Sequence, residues 1–143
     1  MLAVKIKKET YYRIMHLCQE LNRETGGYLG EAEGVICSFE YDEGGQKKSK
    51  GMYFPNSQRL DEVISKWNEY SISFCGILHT HLNGQESLSN EDKNFIIQIM
   101  ECNKGNIKKL YCPIVIPRRK IVFYLAFNRK NNITIKKINI KLK

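Results

Sequence analysis

The stretch "ISFCGILHTH", residues 72–81, carries an apolar run that ends in two histidines one residue apart. A short apolar run of this kind is typical of a buried strand. Side chains at positions i and i+2 of a strand point to the same face, so His79 and His81 present two imidazoles side by side. The stretch therefore predicts a buried strand whose end carries a pair of metal-binding groups.

Helical and strand patterns alternate on both sides of this strand. Gly26 and Gly27 are expected to reverse the chain after a first helix, and a slip at Lys136 and Lys137 suggests a bulge in the last strand. The order of elements predicts an α/β domain with a mixed sheet. The predicted elements are a strand over 2–6, a helix from about 9 to 22, a strand, turn and strand over 27–42, a polar hairpin loop over 42–51, helices that open at Ser57 and Ser89, and strands over 109–117, 120–128 and 132–142.

Length and charge limit the possibilities further. With 143 residues and 42% hydrophobic composition, the chain is long enough for one domain with a substantial core and too short for two. We therefore expect one domain over residues 1–143. The formal net charge of +8 favours acidic partners. The basic residues form no zinc-finger, RNP-type or recognition-helix pattern, so no specific nucleic-acid binding is expected.

Cysteine usage and hydropathy indicate the compartment. The five cysteines are odd in number and form no C-x-x-C pair, which favours a reduced cytosolic protein. The first residues lack the apolar core of a signal peptide, and no apolar run approaches the roughly 20 residues that span a bilayer. We expect a cytoplasmic protein that has no membrane segment and no membrane partner.

Asp92 follows the histidine pair after a loop and falls in the first turn of the next predicted helix. It can turn back and supply an oxygen ligand. Two histidines and one carboxylate leave the fourth position of a tetrahedral zinc open, as in catalytic rather than structural sites, so the pattern favours a hydrolytic site. Ser89 and Asp92 also fit a capping box. We expect one carboxylate to serve the metal or the box, but not both.

Each of these signals has another interpretation when taken alone. A histidine pair at a strand end is more often a satisfied or exposed pair than a ligand set. Glu86 completes a cupin-like H-x-H-x4-E pattern, but cupins need a further histidine and none follows His81. A triad of Ser89, His81 and Asp92 lacks a nucleophile elbow, and Cys75 is expected to point into a buried strand.

Two segments together resemble the JAMM (JAB1/MPN/Mov34) metalloprotease family: "ETGGYLG", residues 24–30, and "HTHLNGQESLSNED", residues 79–92. The family pattern is a glutamate ahead of a glycine-containing strand, followed by H-[ST]-H-x7-S-x-x-D. In this chain seven residues separate His81 from Ser89, and Asp92 lies three positions beyond Ser89. The order of predicted elements also resembles the family's from residue 1 to residue 143.

Two positions depart from the family pattern, because Leu82 and Leu88 stand where prolines are usual. These departures bear on the rigidity of the loop and on substrate fit rather than on metal binding. Three neighbouring expectations come from the residues themselves. Thr80 faces away from the two histidines and packs, Gly76 permits the close approach of an adjacent element, and His16 is structural or lies on the surface.

The resemblance implies an α/β, single-domain MPN/JAB-like (cytidine-deaminase-like) fold, a mixed curved β-sheet flanked by helices. It implies one zinc ion per chain, held by His79, His81 and Asp92. It also implies that Glu24, which the helix pattern places at the end of the first helix, is the general base. Ser89 is then the donor of a hydrogen bond to the oxyanion.

The activity that the resemblance implies is hydrolysis of the bond after the C-terminal glycine of a ubiquitin-like protein or its conjugate, as in deubiquitinases. Partners would include activating-like (E1) and conjugating-like (E2) enzymes of the same operon, antiphage-defence operons among them. The alternatives are a peptidase that processes a ThiS-like sulfur carrier and a non-catalytic scaffold. An extended tail commonly binds by adding a strand to an exposed edge, and we expect that edge around Gly51 to Asn56.

Overall fold

The computed structural model describes residues 2–44, 53, 55–103 and 105–143, and eight strands and three helices lie within these ranges. Most of the predicted hairpin loop over 42–51 therefore lies outside the described residues. The helices are α1 (Lys8–Leu17), α2 (Ser57–Glu69) and α3 (Asn90–Cys102). The strands are β1 (Ala3–Ile6), β2 (Gly26–Ala32), β3 (Val35–Asp42), β4 (Ser73–Thr80), β5 (Lys109–Tyr111), β6 (Ile114–Ile116), β7 (Lys120–Arg129) and β8 (Asn132–Leu142).

The strands pair in a ring. They follow the order β2, β3, β1, β8, β7, β5 and β4, and β4 pairs again with β2. The short strand β6 shares the position of β5, because both lie between β4 and β7. β1 runs parallel to β3 and β8, β4 runs parallel to β5 and β6, and the other pairs are antiparallel. The ring thus has seven strand positions.

The expected α/β fold, an MPN/JAB-like mixed curved sheet flanked by helices, is wrong. The described chain consists mostly of strands that form a closed seven-stranded β-barrel, with a few helices. The pairing responsible is that of β2 with β4, in which Gly26 lies opposite His79 and Leu29 lies opposite Gly76. It joins segments far apart in the chain, and hydrophobic periodicity reports only on local structure.

One apolar cluster fills the barrel. Every strand contributes to it, which is what closure of the ring requires, and each contributing side chain is at most 8% exposed. Burying a large apolar side chain stabilises the fold by about 1.5–3 kcal/mol, so this shared core is the main reason why the ring stays closed. One member from each strand, in chain order, is Val4, Leu29, Ile36, Leu78, Tyr111, Val115, Phe123 and Ile138.

The predicted bulge at Lys136 and Lys137 is wrong, because β7 and β8 pair in unbroken register through this stretch. The strand instead buries opposite faces in its two halves. Ile138 packs inside the barrel, whereas Ile135 packs outside it, against a second apolar cluster that lies between α3 and the sheet. The alternation of apolar residues shifts by one position at Lys136 and Lys137 because the strand buries one face before this point and the opposite face after it.

The three helices lie against the sheet with narrow apolar faces. Helix α1 ends at Leu17, earlier than predicted, and its C-cap Cys18 is buried in the barrel cluster. Helix α2 is capped by Asn56, whose side chain accepts a hydrogen bond from the backbone of Arg59, rather than by Ser57. No helix in the described part of the chain is long and apolar enough to cross a membrane. The fully covered helix residues are Thr10, Ile14, Val63, Trp67, Ile96 and Met100.

Glycines allow the strands to approach closely. The expected role of Gly76 is confirmed, because a Cβ there would lie 2.5 Å from the carbonyl oxygen of Tyr111 on β5. The chain reversal predicted at Gly26 and Gly27 is wrong, since both residues lie in β2. A Cβ at Gly26 would meet the backbone oxygen of Leu78. These glycines are needed for space and not for a turn.

Replacement of Gly76 by alanine tests this close approach. We expect Gly76→Ala to destabilise the protein by about 1–3 kcal/mol, because the added methyl forces β4 and β5 apart. Gly105→Ala is the matched control, since a Cβ at that position meets no atom within 4 Å. Urea denaturation followed by circular dichroism measures both variants. Equal stability of the two would contradict the argument.

Candidate metal centre

The end of β4 and the start of α3 bring the predicted metal ligands together. The Nε2 atoms of His79 and His81 are 2.9 Å apart. The Oδ1 atom of Asp92 lies 3.2 Å from His79 Nε2, and its Oδ2 atom lies 3.1 Å from His81 Nε2. Two imidazole nitrogens and one carboxylate thus converge on one point.

His79, His81 and Asp92 could hold a metal ion, since their ligand atoms all lie within 4.8 Å of one another. In a tetrahedral zinc site with bonds of about 2.0–2.1 Å, neighbouring ligand atoms are about 3.3 Å apart. The observed separations are close to that value. Two lone-pair nitrogens and a carboxylate at such distances repel one another unless a proton or a cation lies between them, so the donor set suits a cation.

A backbone carbonyl sets the orientation of His81. Its Nδ1 atom lies 2.8 Å from the Gln85 carbonyl oxygen. That oxygen can only accept, so Nδ1 carries the hydrogen and the Nε2 lone pair faces the cluster. The loop is in turn tied to β7, where the Tyr124 hydroxyl donates to the Glu86 carbonyl at 2.8 Å and Lys120 pairs with the Glu86 carboxylate at 2.8 Å. Glu86 faces Lys120, which leaves the cupin-like pattern without its acidic ligand.

Asp92 has two roles at the start of α3. Its backbone N–H donates to Ser89 Oγ at 3.0 Å, and its Oδ2 accepts from the Ser89 N–H at 2.9 Å, which completes a capping box. The capping box is therefore present, and the same carboxylate also faces the two histidines. A carboxylate has about four acceptor positions, and those of Asp92 are divided between the helix and the histidines.

Opposing effects act on the charges of this cluster. Burial lowers the pKa of His81, but its contacts with Asp92 and the Gln85 carbonyl, together with the charge of Glu24, raise that pKa overall. Burial raises the pKa of Asp92, yet its close contacts with His79 and His81 lower that pKa far below its ordinary value. Asp92 therefore stays ionised, as a metal ligand must.

Glu24 lies in the loop before β2, and the prediction that it ends the first helix is wrong, because α1 ends at Leu17. Its neighbour Thr25 is fully buried. The Thr25 N–H donates to Thr80 Oγ1 at 2.9 Å, and the Thr80 N–H donates to the Thr25 carbonyl at 2.8 Å. The expected packing of Thr80 is confirmed by its complete burial. This pair ties the residue after Glu24 to the end of β4, directly before His81.

Asp42, a buried carboxylate that no sequence pattern indicated, acts on Glu24 through Tyr53. The backbone N–H of Tyr53 donates to Glu24 Oε1 at 3.3 Å, and the Tyr53 hydroxyl donates to Asp42 at 3.0 Å. Asp42 is 4% exposed and also accepts from the Tyr28 hydroxyl and the Asn56 N–H. Burial raises the pKa of Asp42, but these hydrogen bonds and one from Gly44 lower it overall.

An apolar pocket of about 100 Å³ lies beside the cluster, between α3 and the sheet. His79 and Asp92 line one part of it. Ile77, Ile96 and Leu110, all buried, are among its apolar walls. The metal cluster therefore borders a space that can receive an apolar group.

The remaining residues singled out from the sequence are a histidine, the cysteines and two leucines. His16 is exposed, as predicted. Cys75 is buried and all five cysteines are free. Of the two departures from the family pattern, Leu88 is 6% exposed and packs in the cluster under α3, whereas Leu82 is 36% exposed. Of the proposed edge around residues 51–56, residues 51, 52 and 54 lie outside the described residues, and Tyr53, Pro55 and Asn56 are in no strand.

Comparison with known proteins identifies the fold and no function. No protein-family model matches the chain, and no curated protein matches it. Among 92 matching chains of solved structures is the solution structure of protein DSY2949 from Desulfitobacterium hafniense. It is 15% identical with a TM-score of 0.66, and the match covers 97% of this chain and 92% of that chain. At this identity the similarity shows the fold alone.

The three histidines offer a matched test of the metal centre. We expect the purified protein to bind about one zinc ion per chain and His81→Ala to lose stoichiometric binding, because one of three protein ligands is removed. His16→Ala should bind zinc as the wild type does. Elemental analysis after dialysis gives the metal content, and circular dichroism checks the fold. Equal zinc content in both variants would exclude the His79, His81 and Asp92 cluster as the binding site.

The Asp42 network predicts a pH-dependent effect on stability. Asp42→Ala leaves buried donors without an acceptor and should lower the free energy of unfolding by about 3–5 kcal/mol at pH 7. The folded-state pKa of Asp42 lies below its ordinary value of 3.8, so its contribution is complete above that value and is lost as pH falls through the lower folded pKa. The difference from wild type should therefore shrink in acid. Asp61→Ala, on the exposed face of α2, is the control and should change stability by less than about 0.5 kcal/mol.

Proposed function

We propose that the protein is a zinc-dependent peptidase or isopeptidase of JAMM type. The observation that carries this proposal is the convergence of His79, His81 and Asp92 on one point, beside a pocket and with Glu24 held nearby. Three protein ligands and an open position are the composition of catalytic zinc sites. The motif spacing from Glu24 to Asp92 supports the assignment to the JAMM family.

The donor set favours zinc among the available metals, because two imidazoles and one carboxylate are ligands that zinc accepts at four-coordinate sites. A bound zinc ion supplies Lewis acidity, which makes water a nucleophile near neutral pH and polarises a carbonyl group. The chain's own residues must then position the substrate and move the proton.

Glu24 is the proposed general base. It accepts the proton of the attacking water and delivers it to the leaving amine, which needs a carboxylate within hydrogen-bond reach of the reacting atoms. Two supports hold the residue in place: the Thr25 and Thr80 pair on one side and the Tyr53 N–H on the other. A carboxylate fixed in this way loses little freedom when the reaction begins.

Ser89 is the proposed donor to the oxyanion. Its Oγ accepts a hydrogen bond from the Asp92 N–H, which leaves the hydroxyl hydrogen free to donate. The residue is exposed at the start of α3, so a substrate oxygen can reach it. One such donor contributes about 3 kcal/mol of transition-state stabilisation in comparable sites.

The proposed substrate is a ubiquitin-like protein or its conjugate, cleaved after the C-terminal glycine. An acyl glycine has no side chain and so can approach a recessed cluster closely. The net charge of +8 favours an acidic partner, and exposed Leu82 and Phe95 offer apolar contacts for a tail. E1-like and E2-like enzymes are proposed functional partners, and the reducing cytoplasm is the proposed compartment.

Glu24→Gln tests the role of Glu24 as general base separately from metal binding. The amide keeps the volume and the hydrogen-bonding capacity of the side chain but cannot accept the proton. We expect zinc content to be unchanged and turnover of a Gly-terminated ubiquitin-like fusion to fall by about 10²–10⁴-fold. Glu69→Gln, exposed at the end of α2, should retain wild-type turnover.

Two outcomes would count against the proposal. If the zinc-loaded wild type cleaves neither the fusion nor a panel of Gly-containing peptides, a scaffold role replaces the enzymatic one. Cleavage at the same rate when a bulky residue replaces the terminal glycine would argue for a general peptidase.

A further inference from the structure

The pocket beside the metal cluster has a polar mouth and an apolar interior. Asp92 and Glu91, in the first turn of α3, line it together with His79. Its deeper walls include Leu110 and Cys112, which are 1% and 3% exposed. A group that enters past the cluster therefore meets mostly apolar side chains, together with Tyr53, and ends against the sheet.

The size of the pocket limits what can fill it. An apolar cavity of roughly 150 Å³ holds a benzene ring, and this pocket measures about 100 Å³. A side chain of valine or leucine size fits, whereas an aromatic ring needs more room. A lysine ammonium would lose its hydration against apolar walls and find no partner there at the base.

The entrance is open to solvent. Phe95 lines the pocket and is 38% exposed, and Ile99, one turn further along α3, is half-buried. The pocket shares His79 and Asp92 with the metal cluster. A side chain bound in the pocket therefore lies directly beside the cluster, within reach of a chain whose scissile bond is at the cluster.

We propose that this pocket is a specificity site that holds an aliphatic side chain of the substrate residue next to the scissile bond, on the leaving side. The proposal rests on the proposed function, in which the acyl residue is glycine and has no side chain to offer. The sheet closes the base of the pocket, so the pocket suits a short side chain that terminates inside it. In an isopeptide, the leaving lysine side chain connects to the backbone of a second protein. The site therefore favours a linear Gly–X peptide bond with X of valine or leucine size.

The first test is binding to the full-length metal-free protein, which needs no activity. Acetyl-leucinamide should shift the methyl resonances of Ile96 and Ile99 in NMR spectra, and acetyl-glycinamide should not. Ile99→Phe fills the pocket and should abolish the leucine-induced shift of Ile96. Gln98→Ala, on the exposed side of the same helix, is the matched control and should retain it.

The second test is cleavage of Gly–X peptides by the zinc-loaded protein, with X as glycine, valine, leucine, phenylalanine or lysine. We expect kcat/KM for leucine to exceed that for glycine by at least about tenfold. Ile99→Ala widens the pocket and should shift the preference towards phenylalanine, which keeps the test informative if Ile99→Phe does not fold.

The outcomes separate the two proposals. Leucine-specific methyl shifts without cleavage of any peptide would support the pocket and overturn the proposed function. Cleavage that is indifferent to X, with no methyl shifts, would overturn the pocket and leave the peptidase standing. Faster cleavage of a lysine isopeptide than of Gly–Leu would overturn the assignment of the leaving side.

Discussion

The pairing of β2 with β4 is the constraint on which the rest of the structure depends. It closes the barrel, and it places Gly26 opposite His79. The absence of a side chain at Gly26 is what permits the approach, because a Cβ there would meet the Leu78 carbonyl. The same pairing brings Glu24, just ahead of β2, to the end of β4, where the histidines lie. Fold and candidate site thus have a common origin in one antiparallel ladder.

The parts of the molecule that could be predicted from sequence are those with local causes. His79 and His81 share a face because alternation along a strand is local, and Ser89 caps α3 because its side chain accepts a hydrogen bond from the Asp92 N–H. Closure of the barrel could not be predicted, since it depends on which distant strands meet. The position of Glu24 could not be predicted for a related reason: apolar residues continue at helical spacing beyond Leu17, although α1 ends there.

The residues that support the site left little trace in the sequence. Gln85 acts through its carbonyl oxygen, which every residue has, so no side-chain pattern could reveal it. Asp42 stands at the end of β3 before a glycine-rich stretch and looks like an ordinary turn residue. Its role depends on Tyr28 and Tyr53, which reach it from other parts of the chain. A cluster of metal ligands can be recognised from spacing, but the groups that orient it are a property of the folded molecule.

The place of β8 in the ring has a consequence for how the protein is made. β8 lies between β1 and β7, and Val4 pairs with Ile140. On the ribosome, β1 can pair with β3 early, but its other edge must wait until β8 has been translated, a delay of seconds. Such high contact order slows folding and leaves strand edges open in the nascent chain. Until β8 has been made, the edge of β1 that will face it offers unpaired backbone groups to other chains.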